Sequence, residues 1–403
     1  MILLKTANMR KMEITYNFKW LYIALVALFC LPVVNYYIGE LFWAFDMVNP
    51  FSQLFYFIIY CFGAFAYVYK INTRKVTCVL IYILALFVSF LITPNLSREI
   101  TGPVLLQSQF MTFSFIYFPI FLIAVDERIN YTRVYALLGK TSIAITALCI
   151  IAYIAQVFFS GKGLEEYMTF AYTGLPFILL CIHYSWSNRI FIGKVLSILG
   201  FSTVLFGGCR GALVTILLFV FTYIVFGIRN SKTRVTVLIF SILLYFFMPD
   251  ILEYVGNLFE SFGYESRIFR MMEAGSAMES DGRMVTYKKA LEVIDVYPNG
   301  LFADRVLLER VDDSKYCHNW ILEFWVDYGW LLGTILASIV LIKLTSLTTW
   351  YVKHKDQSNF MICFAICMIL GKYMLSNSYL NSPETAFIFG WFIYSNKKLY
   401  AKT

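Results

Sequence analysis

"SKYCHNWILEFWVDYGWLLG", residues 314–333, reads as the start of a membrane span, yet its apolar run opens on His318 and Asn319 and carries Glu323 and Asp327 in its first turns. A helix facing lipid should be plain there, because a charge in hydrocarbon is costly unless paired. Glu323 and Asp327 follow Asn319 at i+4 and i+8, so the three share one stripe of a helix beside His318. Lys372 lies on the next apolar run, roughly 9 Å below its end at 1.5 Å per residue and so at comparable depth. The sequence therefore predicts an ion pair between Lys372 and Glu323 or Asp327, either holding the bundle together or serving chemistry.

Outward from this stretch, apolar runs recur along nearly the whole chain, each close to the roughly 20 residues a helix needs to cross hydrocarbon. They lie near 20–38, 51–69, 76–93, 104–125, 134–159, 168–187, 190–207, 211–228, 235–249, 319–342, 358–377 and 384–396. Hydrophobic residues make up 60% of the chain and charged ones only 14%, more apolar than a soluble core of this size requires. The fold class predicted is all-α: a polytopic transmembrane helical bundle of about 12 spans.

The basic residues fall on alternate connectors: Lys70, Arg74 and Lys75; Arg128 and Arg133; Arg189 and Lys194; Arg229, Lys232 and Arg234; Lys353 and Lys355. Both ends of the chain are basic too, and the positive-inside rule places this set, with both termini, in the cytoplasm. Met1 to Lys19 leads into a full apolar run without a cleavage pattern, which predicts a retained first helix. Spread over many connectors, the net charge of +8 makes no stripe for nucleic acid. The nine cysteines form no C-x-x-C pair and read as small buried apolar residues, with a bridge between Cys209 and Cys317 left open.

Only one connector is long, and by the charge alternation it faces outward. The chain thus divides into a first bundle (1–249), an outer loop (250–318) and further transmembrane helices (319–403). Within the loop, "GRMVTYKKALEVIDVY" (282–297) has helical spacing, Asp281 as candidate N-cap, Pro298 as stop, and Met284, Tyr287, Leu291 and Ile294 as one apolar stripe. Residues 300–317 read as a short connection.

Three residues on the outer side carry candidate chemistry. Arg210 stands between glycines at a helix junction in "GGCRGAL", where a guanidinium could grip phosphate oxygens or snorkel to headgroups. Arg283 opens the loop helix, where a solvated side chain is the plainer reading. His318 is the one outer histidine of this topology, a general base or a hydrogen-bonded structural group. The acidic pairs Glu40 with Asp46 and Asp312 with Asp313 offer oxygen ligands, but isolated acidic pairs usually face solvent, so no metal and no cofactor is expected. Neither a Walker loop nor a serine nucleophile elbow occurs.

Taken in order, "GGCRGAL", "GRMVTYKKALEVIDVYPNG" and "HNWILEFWVDYGWLLG" resemble the O-antigen ligase and polymerase superfamily of bacterial envelope proteins. Its pattern is a small-x-R-G-A stretch at the outer end of a span, a periplasmic loop helix R-x-x-x-Y/W-x-x-A followed by P-x-G, and H-N-x-x-L running into a Y-G helix. The likeness is specific over about 200–335 and rests on hydropathy before that. It implies a glycosyltransferase of the bacterial inner membrane whose donor is a glycan on undecaprenyl pyrophosphate. By the same resemblance Arg210 and Arg283 bind the pyrophosphate and His318 is the proposed catalytic base; Asn319, Tyr287, Glu323, Asp327 and Lys372 are read beside them as supporting residues. Its partners would be the lipid-linked oligosaccharide, an acceptor glycan, membrane lipids, a chain-length regulator and a flippase. A repeat-unit polymerase is the preferred reading, with an O-antigen ligase and a lipid-linked glycan transporter as alternatives.

Overall fold

The computed structural model describes residues 2–69, 73–92, 111–126, 128–159, 167–207, 209–227, 283–300, 302–312, 317–354, 359–375 and 378–400, with isolated positions 235, 239 and 254. Among them the regular structure is entirely helical. In chain order the helices are α1 (Ile2–Ala44), α2 (Ser52–Val68), α3 (Thr73–Ile92), a π-turn (Phe113–Tyr117) leading into α4 (Phe118–Ala124), α5 (Tyr131–Phe158), α6 (Tyr167–Ser187), α7 (Phe191–Phe206) and α8 (Arg210–Gly227). They continue with α9 (Arg283–Val293), α10 (Ala303–Asp312), α11 (Trp320–His354), α12 (Asn359–Cys367) running through a second π-turn (Met368–Lys372) into α13 (Tyr373–Leu375), and α14 (Pro383–Tyr400).

Among the described residues four stretches are long and apolar enough to cross a membrane: Lys19–Ala44, Tyr131–Phe158, Met168–Ser187 and Trp320–Tyr351. Shorter apolar helices such as Ser52–Val68, Phe191–Leu205 and Gly211–Phe226 pack around them. The run predicted at 235–249, apart from 235 and 239, and the Asp281 cap lie outside the described residues.

Polar residues fix how the helices run. Asn130 caps α5, its Oδ1 accepting from the amides of Thr132 and Arg133, while its own N–H donates to Tyr22 Oη on α1 at 2.9 Å. At the other end of the same two helices Gln156 donates to the Glu40 carbonyl at 2.7 Å and to its carboxylate at 3.2 Å. Helices α1 and α5 are therefore parallel. Tyr37 Oη donates to the Phe170 carbonyl at the Glu40 end, and Tyr135 meets His183 at the Asn130 end, so α6 runs back against both.

The Asn130 end also holds Lys75 and Arg128 around the buried Asp126, at 3.6 and 2.5 Å, with Arg133 over the Tyr22 ring and Lys194 over Trp186. Basic residues thus gather at the first end of the bundle. Burial alone would raise the Asp126 carboxyl, but hydrogen bonds and charge from Arg128, helped by Lys75, bring it below the ordinary carboxylate value. A carboxyl lowered by folding lends stability above its unfolded value of about 3.9 and gives it up as pH falls through its folded value. Melting curves below about pH 4 should therefore fall less steeply for Asp126→Asn than for the parent protein, and parallel curves would show that the cluster adds no acid sensitivity.

None of the nine cysteines forms a disulfide, and seven of them are buried, Cys209 and Cys317 included. The possible bridge between those two is absent. They serve instead as small apolar core residues, Cys317 in a satellite cluster with Ala290, Leu308 and Val326.

Candidate functional site

At the second end of the bundle, opposite Asn130, α8 starts at Arg210. Gly211 lies against α6 and the end of α13: a Cβ there would collide with the Tyr172 hydroxyl, and Leu375 Cβ is 3.4 Å away. A larger residue after the arginine would have to displace the Tyr172 side chain. One turn on, Thr215 packs on Gly371 of the second π-turn.

The loop helix and the supposed connection form a small layer on this end. Helix α9 turns Thr286 and Ala290 inward, with Val293 and Ile294 packed beside them, whereas Met284 and Leu291 are exposed and Tyr287 is half-buried. The predicted stripe of Met284, Tyr287, Leu291 and Ile294 is therefore rotated, because the partner is the protein face formed by Leu308, Cys317 and Val326. Residues 300–317 are not a plain connection either. They contain α10, a run of good helix formers with Asp304 in its first turn, where a carboxylate suits the helix dipole.

Between α9 and α10, the turn Pro298-Asn299-Gly300 locks onto α11 at a break. Gly329 has φ 73° and ψ 158°, outside helical space. The Asp327 carbonyl, which the break would leave without its helical partner, accepts from the amides of Asn299 and Gly300 at 2.9 and 2.8 Å. The Trp330 amide, orphaned likewise, donates to the Asp295 carbonyl at 2.9 Å, and Asn299 Nδ2 reaches the Val326 carbonyl at 2.9 Å. Across the break the two segments fold toward each other: Trp325 Nε1 donates to Thr334 Oγ1 at 3.0 Å, and a Cβ on Gly333 would stand 2.6 Å from the Phe324 carbonyl oxygen. Nine residues of straight helix would separate those positions by about 13.5 Å.

The apolar run 319–342, read as one span, is therefore broken at Gly329. Glu323 and Asp327 belong to a short segment folded back ahead of the break. The exposed apolar face of Trp330, Leu331, Leu332, Ile335, Ile339 and Ile342 begins only after it.

Inside that segment the carboxylates meet a cation the sequence reading missed. Arg305 on α10 is 3% exposed, and its Nη1 donates to Asp304 Oδ1 at 2.7 Å and to Glu323 Oε1 at 3.3 Å while Nη2 donates to Ser378 Oγ at 2.7 Å. Ser378 in turn donates to Glu323, whose other oxygen accepts from the Tyr379 amide at 3.3 Å. Asp327 accepts from the Asp304 amide at 3.0 Å and from Tyr379 Oη at 3.2 Å. Burial pushes the Asp304 carboxyl above the ordinary carboxylate value, and Arg305 beside it only partly reverses this. For Arg305, burial opposes the charge, but Asp304, Glu323 and Asp327 outweigh it and hold the guanidinium more firmly protonated. Oxygens of the three acids lie within 4.8 Å of one another, a spacing a cation could bridge, and the guanidinium is the cation placed there.

Lys372 does not reach this network. Its ammonium lies 3.4 Å from Glu384 Oε2, both side chains buried, so the predicted pairing with Glu323 or Asp327 is wrong. Two causes act together: the π-turn ending at Lys372 changes the face that residue presents, and Arg305 already engages Glu323.

His318 is half-buried with φ 55°, a left-handed conformation a non-glycine residue adopts only when its surroundings fix it. Asn319 is the helix cap, its Oδ1 accepting from the amides of Ile321 and Leu322 at 3.0 and 3.3 Å. Ala290 on α9 packs in one cluster with Cys317, and Arg283 lies two turns, roughly 10 Å, before it. From the other side, Gly211 touches Leu375, three residues before Ser378, which bonds to Glu323 one turn after Asn319. The backbones carrying Arg210, Arg283 and His318 thus gather at the second end. The side chains of Arg210 and Arg283 lie outside the described residues.

Of the acidic pairs considered for metal, Glu40 accepts from Gln156, Asp46 is exposed, and Asp313 lies outside the described residues. Neither the known protein families nor curated proteins nor solved structures include a match to this chain.

Proposed function

We propose that the protein is a glycosyltransferase of the bacterial cytoplasmic membrane that polymerises oligosaccharide units carried on undecaprenyl pyrophosphate. In this reading about 12 spans hold both termini in the cytoplasm, the basic first end faces inward, and the second end is periplasmic. The observation that carries it is the interlock at Gly329: it joins the Pro298–Gly300 turn, the loop helix of Arg283 and the His318 segment into one layer beside the start of α8. These are the sequence stretches on which the superfamily resemblance rests.

The chemistry needs no further group. An acceptor hydroxyl oxygen attacks the anomeric carbon, the bond from that carbon to the pyrophosphate oxygen breaks, and the lipid pyrophosphate leaves with the bonding electrons. Arg210 and Arg283 stabilise the charge growing on the leaving group, and His318 takes the hydroxyl proton. Inversion at the anomeric carbon follows from the single displacement. Asn319 acts by capping the helix that starts beside His318, and the Arg305 network holds that helix in place.

A polymerase is favoured over a ligase because the loop carries Glu260, Glu265, Glu273 and Glu279, a poor surface for a phosphorylated lipid A-core. Deleting the gene in its native cell should leave single repeat units on the lipid carrier or the core. Long glycan stranded on undecaprenyl pyrophosphate would mean a ligase, and an unchanged glycan would end both readings. Arg210→Ala, Arg283→Ala and His318→Ala should each lower transfer by about 100-fold or more while insertion stays normal, and full activity in any of them removes that residue's role.

A further inference from the structure

A cavity of about 430 Å³ opens in the second end, between α1, α2, the first π-turn, α6 and the stretch from Lys372 to Glu384. That volume suits a ligand of one to a few rings. Its wall combines Tyr36, Tyr56, Tyr117 and Tyr172 with threonines of α6 and the Lys372–Glu384 pair. The Tyr172 hydroxyl that abuts Gly211 connects this wall to the start of α8, next to Arg210.

The charges decide the ligand class. Lys372 and Glu384 cancel one another 3.4 Å apart, so a phosphate entering the cavity would gain from the ammonium and lose to the carboxylate. An acyl or prenyl chain would offer that pair no hydrogen bond. A neutral, polyhydroxylated ring fits both features. Its hydroxyls donate to Glu384 and accept from Lys372, and its carbon face lies on an aromatic ring.

We infer that this cavity is a saccharide-binding subsite that takes a neutral sugar ring, with Lys372 and Glu384 orienting its hydroxyls and Tyr56 forming the mouth. Naming that sugar as the terminal residue of the acceptor glycan rests on the glycosyltransferase reading; the binding of a neutral sugar does not.

The test is saturation-transfer NMR on the full-length chain in a detergent without a sugar headgroup. The probes are N-acetylglucosamine, rhamnose and lactose, each at about 10 mM, enough to occupy a millimolar site. Transfer to at least one of them is expected from the parent protein, with inorganic pyrophosphate failing to displace it. Tyr56→Ala should weaken the signal about tenfold, as loss of an anchoring aromatic does, without lowering the melting temperature, because Tyr56 is 44% exposed. Glu384→Gln should weaken it too. No transfer to any of the three sugars, equal transfer in Tyr56→Ala, or displacement by pyrophosphate would overturn the assignment. If sugar binds as expected while the deletion strain keeps its glycan unchanged, the subsite stands and the polymerase reading falls.

Discussion

Arg305→Met should cost the folded protein about 3–5 kcal/mol, the usual consequence of removing one partner from a buried ionic cluster. The guanidinium is the cation that donates to Asp304 and Glu323, and it also holds Ser378. Methionine keeps much of the volume but leaves three buried carboxyls facing one another. The loss should show as a lower melting temperature of the purified chain, and restoring part of it by adding Glu323→Gln would identify electrostatics rather than packing as the cause. The pH dependence has a definite sign. A carboxyl whose folded value lies above its unfolded one, as for Asp304, takes up a proton on folding, so its penalty is full above the folded value and relieved as pH falls through it. Arg305→Met should accordingly recover stability at about pH 5 relative to about pH 8. A variant within about 1 kcal/mol of the parent at both values would show that the cluster does not depend on this cation.

That residue also marks the limit of what the sequence discloses. Apolar runs are legible because each is a sum over many residues, and the helical character they predict is what the described chain shows. Arg305 is one of two basic residues, with Arg310, in a ten-residue helix too short for periodicity to separate it from a loop, and nothing local reveals that it turns inward. Good helix formers after Gly300 were the available signal. The Lys372 error has a related source. Glu323 and Asp327 were the acids at matching depth on a neighbouring run, whereas Glu384 lies 12 residues away along the chain, across a turn that hydropathy cannot describe.

The break at Gly329 was hidden for a different reason: apolar composition continues straight through it, since hydropathy records what a residue is and not its φ. The glycine itself carries the information, and substituting it exposes how much rests there. Gly329→Ala should lower stability by at least about 3 kcal/mol, combining the cost of a left-sided backbone conformation with a clash. At φ 73° the new Cβ would stand 2.5 Å from the Val296 carbonyl oxygen and 2.8 Å from that of Tyr297. Both oxygens are backbone, so neither can rotate away. The Pro298–Gly300 turn must then lift, releasing the amides of Asn299, Gly300 and Trp330 from their partners. Hydrogen exchange should quicken at those three amides while the amides in the middle of α1 and α5 keep their protection. Gly39→Ala gives the contrast, because its nearest new neighbour is Asn49 Nδ2 at 3.9 Å, and an alanine in that helix should be neutral or stabilising by about 0.5–1 kcal/mol. Were Gly329→Ala as harmless as Gly39→Ala, the interlock would be incidental, and the layer that brings His318 and the loop helix together would need another support.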